Sequence, residues 1–402
     1  MNIVVVGGGI AGSALALALR AYDLPVHLVE ARPTGGDTGG AFLTLAPNGI
    51  NALRALGHAD VPSAAGGFEL SGLDFHNAKG RRIARLSGDD DLSRYGARSV
   101  VLRRAPLRAQ LVERARAAGA QLDEGARLTG LVEHPEGVRA TFADGRTLDA
   151  DIVIGADGIW SSVRRLTWPD GPLPSYTGII DCGGWTRVEL PDSTSQQLIF
   201  GREAFFGYAV KDEVAYWFAN LPRSTEPARS ELDELDQARW MDTLRAHCDG
   251  DPAPVTKILA ASHRAVGVWP LYDLPSPMNW ATARVCLVGD AAHAVSPSTG
   301  QGASLAIEDA LVLARCLSEE PSAADAFVSY QRQRRNRVEK IARFGRQVGQ
   351  RKASSATGSL VRDLTLRLFL RMGTRATAEQ YGYRVEGPRS GATDPARRER
   401  DA

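Results

Sequence analysis

The segment Gly7-Gly8-Gly9-Ile10-Ala11-Gly12 constrains this chain more than any other. It follows a β-branched run, Ile3 to Val6, and precedes an Ala/Leu-rich stretch, Ser13 to Tyr22, that reads as a helix leading to a second strand, Val26 to Glu30. Strand, glycine turn, helix and strand make a βαβ unit, which implies a parallel sheet and a right-handed crossover. In that context GxGxxG has a mechanical meaning. Gly7 permits the tight turn, Gly9 lets a pyrophosphate approach the backbone, and Gly12 lets the helix pack closely. The helix N-terminus then offers amide hydrogens and partial positive charge to the phosphates. Glu30 ends the second strand 18 residues beyond Gly12, where a carboxylate accepts hydrogen bonds from the ribose hydroxyls and disfavours a 2′-phosphate. The tightly bound dinucleotide is therefore expected to be FAD or NAD, not NADP.

Composition narrows the class. With 402 residues, 44% hydrophobic and 24% charged, the chain has the balance of a soluble globular protein of two or three domains. A net charge of +1 gives no electrostatic footprint for nucleic acid or an anionic membrane. Cys182, Cys248, Cys286 and Cys316 form neither a CxxC pair nor a zinc spacing, so a reduced, cytoplasmic setting and no metal site are expected. The uncharged stretch from Asn2 to Leu19 lacks a basic n-region and is broken by glycines, so it reads as folded structure rather than a signal peptide. No run approaches the roughly 20 apolar residues of a membrane span.

Further along, Ala105 to Ala118 reads as a helix, and Leu128 to Glu133 and Val138 to Phe142 as paired short strands. Nine aromatic residues then fall between Tyr176 and Phe218, a third of all Trp, Tyr and Phe in the chain. Strand-rich aromatic sequence between two nucleotide-like segments suggests an inserted antiparallel sheet. Such aromatics either line a pocket or simply follow strand preference. After Asp290 the pattern is helical. Gln331 to Lys352 holds nine basic residues and one acidic, Glu339, with Val338, Ile341, Phe344 and Val348 at helical spacing, which reads as a solvated basic face on a packed helix. Ser359 to Arg371 suggests one more amphipathic helix, and the Pro, Gly, Arg and Asp-rich tail is expected to be disordered.

Two later segments repeat the strand-to-acid logic. Asp151-Ile152-Val153-Ile154-Gly155-Ala156-Asp157-Gly158 precedes Ser161, Ser162, Val163 and Arg164. Val285-Cys286-Leu287-Val288-Gly289-Asp290-Ala291-Ala292-His293 leads through Pro297 and Gly300-Gln301-Gly302 into a helix with Glu308 and Asp309. With the three motifs in this order, residues 1 to 345 resemble the class A flavoprotein monooxygenases, the group of p-hydroxybenzoate hydroxylase, salicylate hydroxylases and zeaxanthin epoxidases. The resemblance implies an α/β, Rossmann-like FAD-binding domain with an inserted antiparallel β-sheet substrate domain and C-terminal helices. It implies an FAD-binding part at 1–75, 97–175 and 265–345, a substrate part at 76–96 and 176–264, a helical extension at 346–385 and a disordered tail at 386–402.

By the same resemblance Asp290 contacts the ribityl and pyrophosphate region, and Arg104, in Arg104-Ala105-Pro106-Leu107, also contacts FAD. The loop Gly40 to Asn48 passes along the flavin, with Thr44 a contact; Leu128 lies beside the adenine, and Asp157 serves FAD and pyridine nucleotide. Ala11, Ala31, Gly300, Gln301, Gly302 and Ala303 complete the expected cofactor set. Pro297 lacks an amide hydrogen and suits a dry peroxide pocket, and the helix that follows directs its positive end toward a reduced, anionic flavin. His293 is expected to be structural, and no general base is assigned. The implied reaction is an NADH- or NADPH-consuming transfer of one oxygen atom from O2, through a flavin C4a-hydroperoxide, to an aromatic or polycyclic small molecule. A flavin dehydrogenase or reductase on the same scaffold stays open as the alternative. Trp185, Phe206, Tyr208 and Trp217 are the expected substrate contacts, although Phe205 alternates to the face opposite Phe206 and Tyr208, so not all can share one pocket. A monomer or homodimer is expected.

Overall fold

The computed structural model describes residues 1–33, 42–232, 237–263, 265, 267–274, 278–353 and 376–388. The expected helix from Ser359 to Arg371, the tail beyond residue 388, and Gly40 and Ala41 of the flavin-side loop lie outside the described residues. A five-stranded parallel sheet runs in the order Val285–Leu287, Ile152–Gly155, Ile3–Val6, Val26–Glu30, Gln121–Glu124. The register sets Val6 beside Gly155 and Val29, so three strands end together at the edge where all three motifs begin. The helix Ile10–Ala21 follows the first strand and is buried from Ile10 through Leu19 except at Ala11, as its Ala/Leu composition requires. It packs against Arg104–Ala117 and Gly302–Glu319. Leu128–His134, Gly137–Phe142 and Thr147–Ala150 form a three-stranded antiparallel sheet.

The second large element is a seven-stranded sheet in the order Gly267–Asp273, Ser175–Arg187, Val214–Pro222, Phe205–Lys211, Gln196–Phe200, Gly72–Asn77, Arg82–Ser87. Its pairs are antiparallel except that between Gln196–Phe200 and Gly72–Asn77. This sheet begins at Gly72 and takes in Gly267–Asp273, so it extends beyond the boundaries expected at 76 and 264. Both of its faces are apolar. On one face Ile180, Ile199, Phe206, Trp217 and Leu221 pack with Trp240, Met241, Leu244, Val255, Ile258 and Leu259, which belong to the helices Gln237–His247 and Ala253–Ala261. On the other face Ala209 and Tyr216 pack with Phe42, Phe68, Leu70 and Val101 of a small three-stranded sheet, in the order Phe42–Leu45, Ser99–Arg103, Phe68–Leu70.

The C-terminal helix runs unbroken from Ala323 to Ala353, across the expected boundary at 346. Val338 and Ile341 are buried along it. Its basic residues do not all face solvent: Arg334 is completely buried and Arg337 partly buried, and both are ion-paired to Glu308.

Candidate active site

One cavity of about 1130 Å³ runs from the glycine turn to the open face of the seven-stranded sheet. That exceeds the ~300–1,000 Å³ of an ordinary small-molecule pocket. Its first end is built by backbone. Gly7 has φ +107°, and a Cβ there would lie 2.5 Å from the Ala156 carbonyl oxygen. A Cβ on Gly12 would sit 1.8 Å from the Gly7 oxygen, so this glycine joins helix to turn and does not itself line the cavity. Gly9 is the opposite case: nothing lies within 4 Å of the position its Cβ would take. The open space is over the N-terminus of Ile10–Ala21, which has no side-chain cap and no acidic residue in its first turn. Its free amides face the cavity as a cradle for phosphate.

Glu30 and Ala31 continue the wall. The Glu30 carboxylate accepts from the Gly8 amide (2.7 Å) and from the amide (2.9 Å) and Nε (3.1 Å) of Arg32. Burial alone would raise this carboxyl, but those hydrogen bonds and the Arg32 charge outweigh it and hold the group below the usual carboxylate value. Arg104 at the start of its helix, Thr44 and Leu128 also line the cavity. Thr44 Oγ1 donates to Gln196 Oε1 at 3.2 Å, which ties the strand Phe42–Leu45 to the long sheet.

Asp157 reaches the cavity, yet its carboxylate is engaged by the helix Ser162–Thr167. It accepts from the amides of Ser162 (2.7 Å) and Val163 (3.1 Å) and from the Ser161 hydroxyl. Burial raises its carboxyl despite these donors. Arg164 then links the second motif to the third: it is buried and donates to the carbonyls of Ala291 (2.8 Å) and Ile159 (2.5 Å). Asp290 starts the short helix Asp290–His293 after Gly289, whose φ of +57° makes the turn, and lines the cavity with an exposed carboxylate.

Pro297, Gly300, Gln301, Gly302 and Ala303 form the adjacent wall, where the helix Gly302–Glu319 begins. Behind that wall lies a buried ion network. Asp309 accepts from the Gly289 amide (3.0 Å), contacts His293 Nε2 (2.6 Å) and accepts from Arg334 Nε (2.6 Å). Glu308 pairs with Arg334 (2.7 Å) and Arg337 (2.8 Å) and accepts from Asn48 Nδ2 (2.6 Å), which also donates to Gln301 Oε1 (3.0 Å). Desolvation pushes the Asp309 carboxyl up, but the adjoining His293 and Arg334 draw it far below the ordinary range. His293 is thus turned into the network, away from the cavity.

The second end of the cavity is side chain. Leu73, Phe75, Leu198, Phe200, Phe205, Phe218, Trp269 and Leu271 supply an apolar wall, and Asp181, Gln196 and Asn220 supply polarity. The expected substrate residues are placed elsewhere. Phe206 and Trp217 are stacked, with centroids 5.9 Å apart and planes 8° from parallel, in the core beneath the two covering helices, and Tyr208 packs on the same core. Trp185 lies outside the cavity, 38% exposed beneath the Arg103 guanidinium. Strand alternation separated the two faces correctly, but the helices cover the one that was expected to meet substrate. Sequence reasoning also missed Thr377, Gln380 and Tyr381, which line the cavity from beyond the long C-terminal helix. Arg337 donates to the Gln380 carbonyl at 3.0 Å, and Tyr381 meets Tyr95 edge-to-face at 5.7 Å. No local pattern in the sequence marks them.

A sequence profile for the family described as "FAD binding domain" matches residues 1–345. The chain is similar to the aurachin C monooxygenase/isomerase of Stigmatella aurantiaca, with 30% identity over 355 residues, covering 87% of this chain and 89% of that protein. It is 31% identical to the 3-amino-4-hydroxybenzoate 2-monooxygenase of Streptomyces cremeus, covering 87% of each. Among solved structures, Klebsiella pneumoniae HpxO complexed with FAD and uric acid superposes with a TM-score of 0.81 at 24% identity, covering 96% of this chain and 97% of that one. That likeness shows the fold. Among the described residues no helix is long and apolar enough to cross a membrane, and no group of three His, Cys, Asp or Glu side chains suits a metal ion.

Proposed function

The chain belongs to the FAD-binding domain family and is an FAD-dependent monooxygenase, and from that premise we propose that it hydroxylates or otherwise oxygenates a small aromatic or polycyclic ring at the expense of NADH or NADPH. The observation that carries this reading is the continuity of one cavity from an uncapped glycine turn to an aromatic sheet face. Relatives of this chain are named for such substrates, among them 3-amino-4-hydroxybenzoate and 6-hydroxynicotinate.

The residues fit FAD. In this reading the amides at Gly9 and Ala11 take the pyrophosphate, the Glu30 carboxylate the adenosine ribose, and Leu128 and Ala31 the adenine end, while Arg104, Thr44, Asp157 and Asp290 follow the rest of the cofactor. When bound, FAD supplies hydride acceptance from the nicotinamide and activation of dioxygen. The protein's part is to orient and to exclude water. Gly300 to Ala303 present backbone and a helix start to the ring system, so that negative charge there meets a positive dipole end. Pro297 adds a wall with no amide donor of its own. Phe200, Phe205 and Phe218 hold a flat apolar guest and keep the pocket dry. Four buried, unpaired cysteines support a cytoplasmic setting.

The test is NADH and NADPH oxidation by the purified flavoprotein against a panel of phenols and fused aromatic rings. A ring that stimulates oxidation and gains one oxygen atom supports the proposal. Stimulated oxidation with no oxygen gained by any ring would favour the dehydrogenase.

A further inference from the structure

We infer that Gln380 is a specificity-determining residue of the cavity, whose side-chain amide selects rings that carry an N–H next to a carbonyl. The inference rests on the monooxygenase reading. Residues 376–381 form a short helix beyond the long one, and Thr377, Gln380 and Tyr381 line the cavity from it. Their spacing of i, i+3 and i+4 puts them on one helix face, and that face closes this side of the cavity. The helix is fastened from behind. Arg337, itself paired to Glu308 at 2.8 Å, donates to the Gln380 carbonyl at 3.0 Å and lies over the Tyr383 ring at 4.0 Å. Tyr381 packs edge-to-face on Tyr95 at 5.7 Å, and Arg384 donates to the Tyr95 carbonyl.

Gln380 is only 7% exposed, and among the described residues its side-chain amide has no hydrogen-bond partner. Other polar groups of the cavity are engaged: the Tyr381 hydroxyl with Ser99, Gln196 with Thr44, and Asp181 with Asn220. A primary amide carries two donor hydrogens and an acceptor oxygen, and once a guest expels water from a buried one, its hydrogen bonds must come from that guest. A ring with N–H beside C=O satisfies donor and acceptor together through two parallel hydrogen bonds. An N-alkylated or hydrocarbon edge leaves at least one of them unpaired. Phe200, Phe205 and Phe218 give a flat ring contact without direction, whereas a placed polar group fixes its orientation. The family profile ends at residue 345, so this helix lies outside the part that it matches. A cofactor common to the family is held within the shared part, and a wall beyond it is free to follow the guest.

Two matched pairs of probes test this on the FAD-loaded full chain: 2-pyridone with N-methyl-2-pyridone, and 2-quinolone with N-methyl-2-quinolone. Dissociation constants are read from the flavin spectrum, FAD retention from flavin absorbance after dilution, and oxygen gain from product mass. The wild-type protein should bind the N–H ring of at least one pair about 5- to 100-fold more tightly than its methylated partner, the range for two neutral hydrogen bonds. Gln380→Met, similar in length but without the amide, should erase most of that difference while leaving FAD retention and the methylated ring unchanged. Gln380→Glu keeps the shape but offers acceptors alone, and should lose the preference as well; it decides the matter if the Met variant does not fold. The inference is overturned if each methylated ring binds as tightly as its N–H partner, if neither N–H ring binds, or if the ranking survives in the variants. It is equally overturned if the variants weaken both rings of a pair alike or lose FAD. The expected ranking, erased in the variants but without oxygen gain in the wild type, contradicts the monooxygenase reading and leaves the recognition intact. Oxygen gain on rings whose binding ignores Gln380 does the reverse.

Discussion

The two ends of the cavity are made of different material. At the glycine turn the wall is backbone, and each position is fixed by what cannot be there: no Cβ on Gly7 or Gly12, and free space over Gly9. At the long sheet the wall is side chain, and similar aromatic residues occupy both faces of the same strands. Backbone geometry admits few sequences, whereas an apolar face admits many. The first end can therefore serve one cofactor in many relatives while the second is free to change its guest.

The largest expected effect tests the backbone end. Gly12→Val drives a Cβ into the Gly7 carbonyl at 1.8 Å, and backbone cannot yield as a flexible side chain does. We expect about 3 kcal/mol or more of destabilisation, as overpacking at its severe limit gives, and purified protein without flavin absorbance. Gly9→Ala, placed where nothing crowds it, should fold with an unchanged Tm and lose FAD affinity alone. Equal behaviour of the two variants would break the contrast.

Comparable losses are expected in the ion network that backs the cofactor wall. Arg334→Met leaves Glu308 and Asp309 buried beside fewer cations and should cost about 3–5 kcal/mol in denaturant unfolding, the range for breaking a buried pair. An effect below 1 kcal/mol would place the stability of this wall elsewhere.

The two faces of the sheet give the next comparison. Trp217→Ala opens a core site and should cost about 3–5 kcal/mol of stability. Phe218→Ala, one residue on and facing the cavity, should cost less stability and raise KM for an aromatic substrate instead. A reversal of these outcomes would show that the sheet meets its guest on the other face.

The smallest effect is in pH. Asp309 is held well below its unfolded value of about 3.9 by His293 and Arg334 against the cost of burial. A depressed carboxyl contributes stability that is present above the unfolded value and is lost as pH falls toward the folded one. Unfolding midpoints should fall more steeply below about pH 4 in the wild type than in Asp309→Asn. Parallel curves would remove Asp309 from the account.

The sequence made the first end legible for the same reason that it is conservative in form. A glycine turn between a β-branched strand and an Ala/Leu helix has few physical readings, and spacing and resemblance single out Gly7, Gly9, Glu30 and Asp290, all of which line the cavity. At the second end period-2 alternation separated Phe205 from Phe206, but which side is covered depends on the helices Gln237–His247 and Ala253–Ala261, distant in sequence. The ion network was hidden in the same way. Arg334 and Arg337 sit in a basic run that looks solvated until Glu308, 29 residues before Arg337, is seen beneath them. Gln380 and Tyr381 line the cavity from still further along the chain.

Everything in this cavity converges on the insertion of oxygen from O2. The most direct measurement is a single turnover of the FAD-loaded protein with a stimulating aromatic ring under isotopically labelled dioxygen, with the product analysed by mass spectrometry. The expected result is one labelled oxygen atom in each product molecule, with one NADH or NADPH consumed for it. Nicotinamide oxidation that yields only labelled hydrogen peroxide, or a product without label, would contradict it.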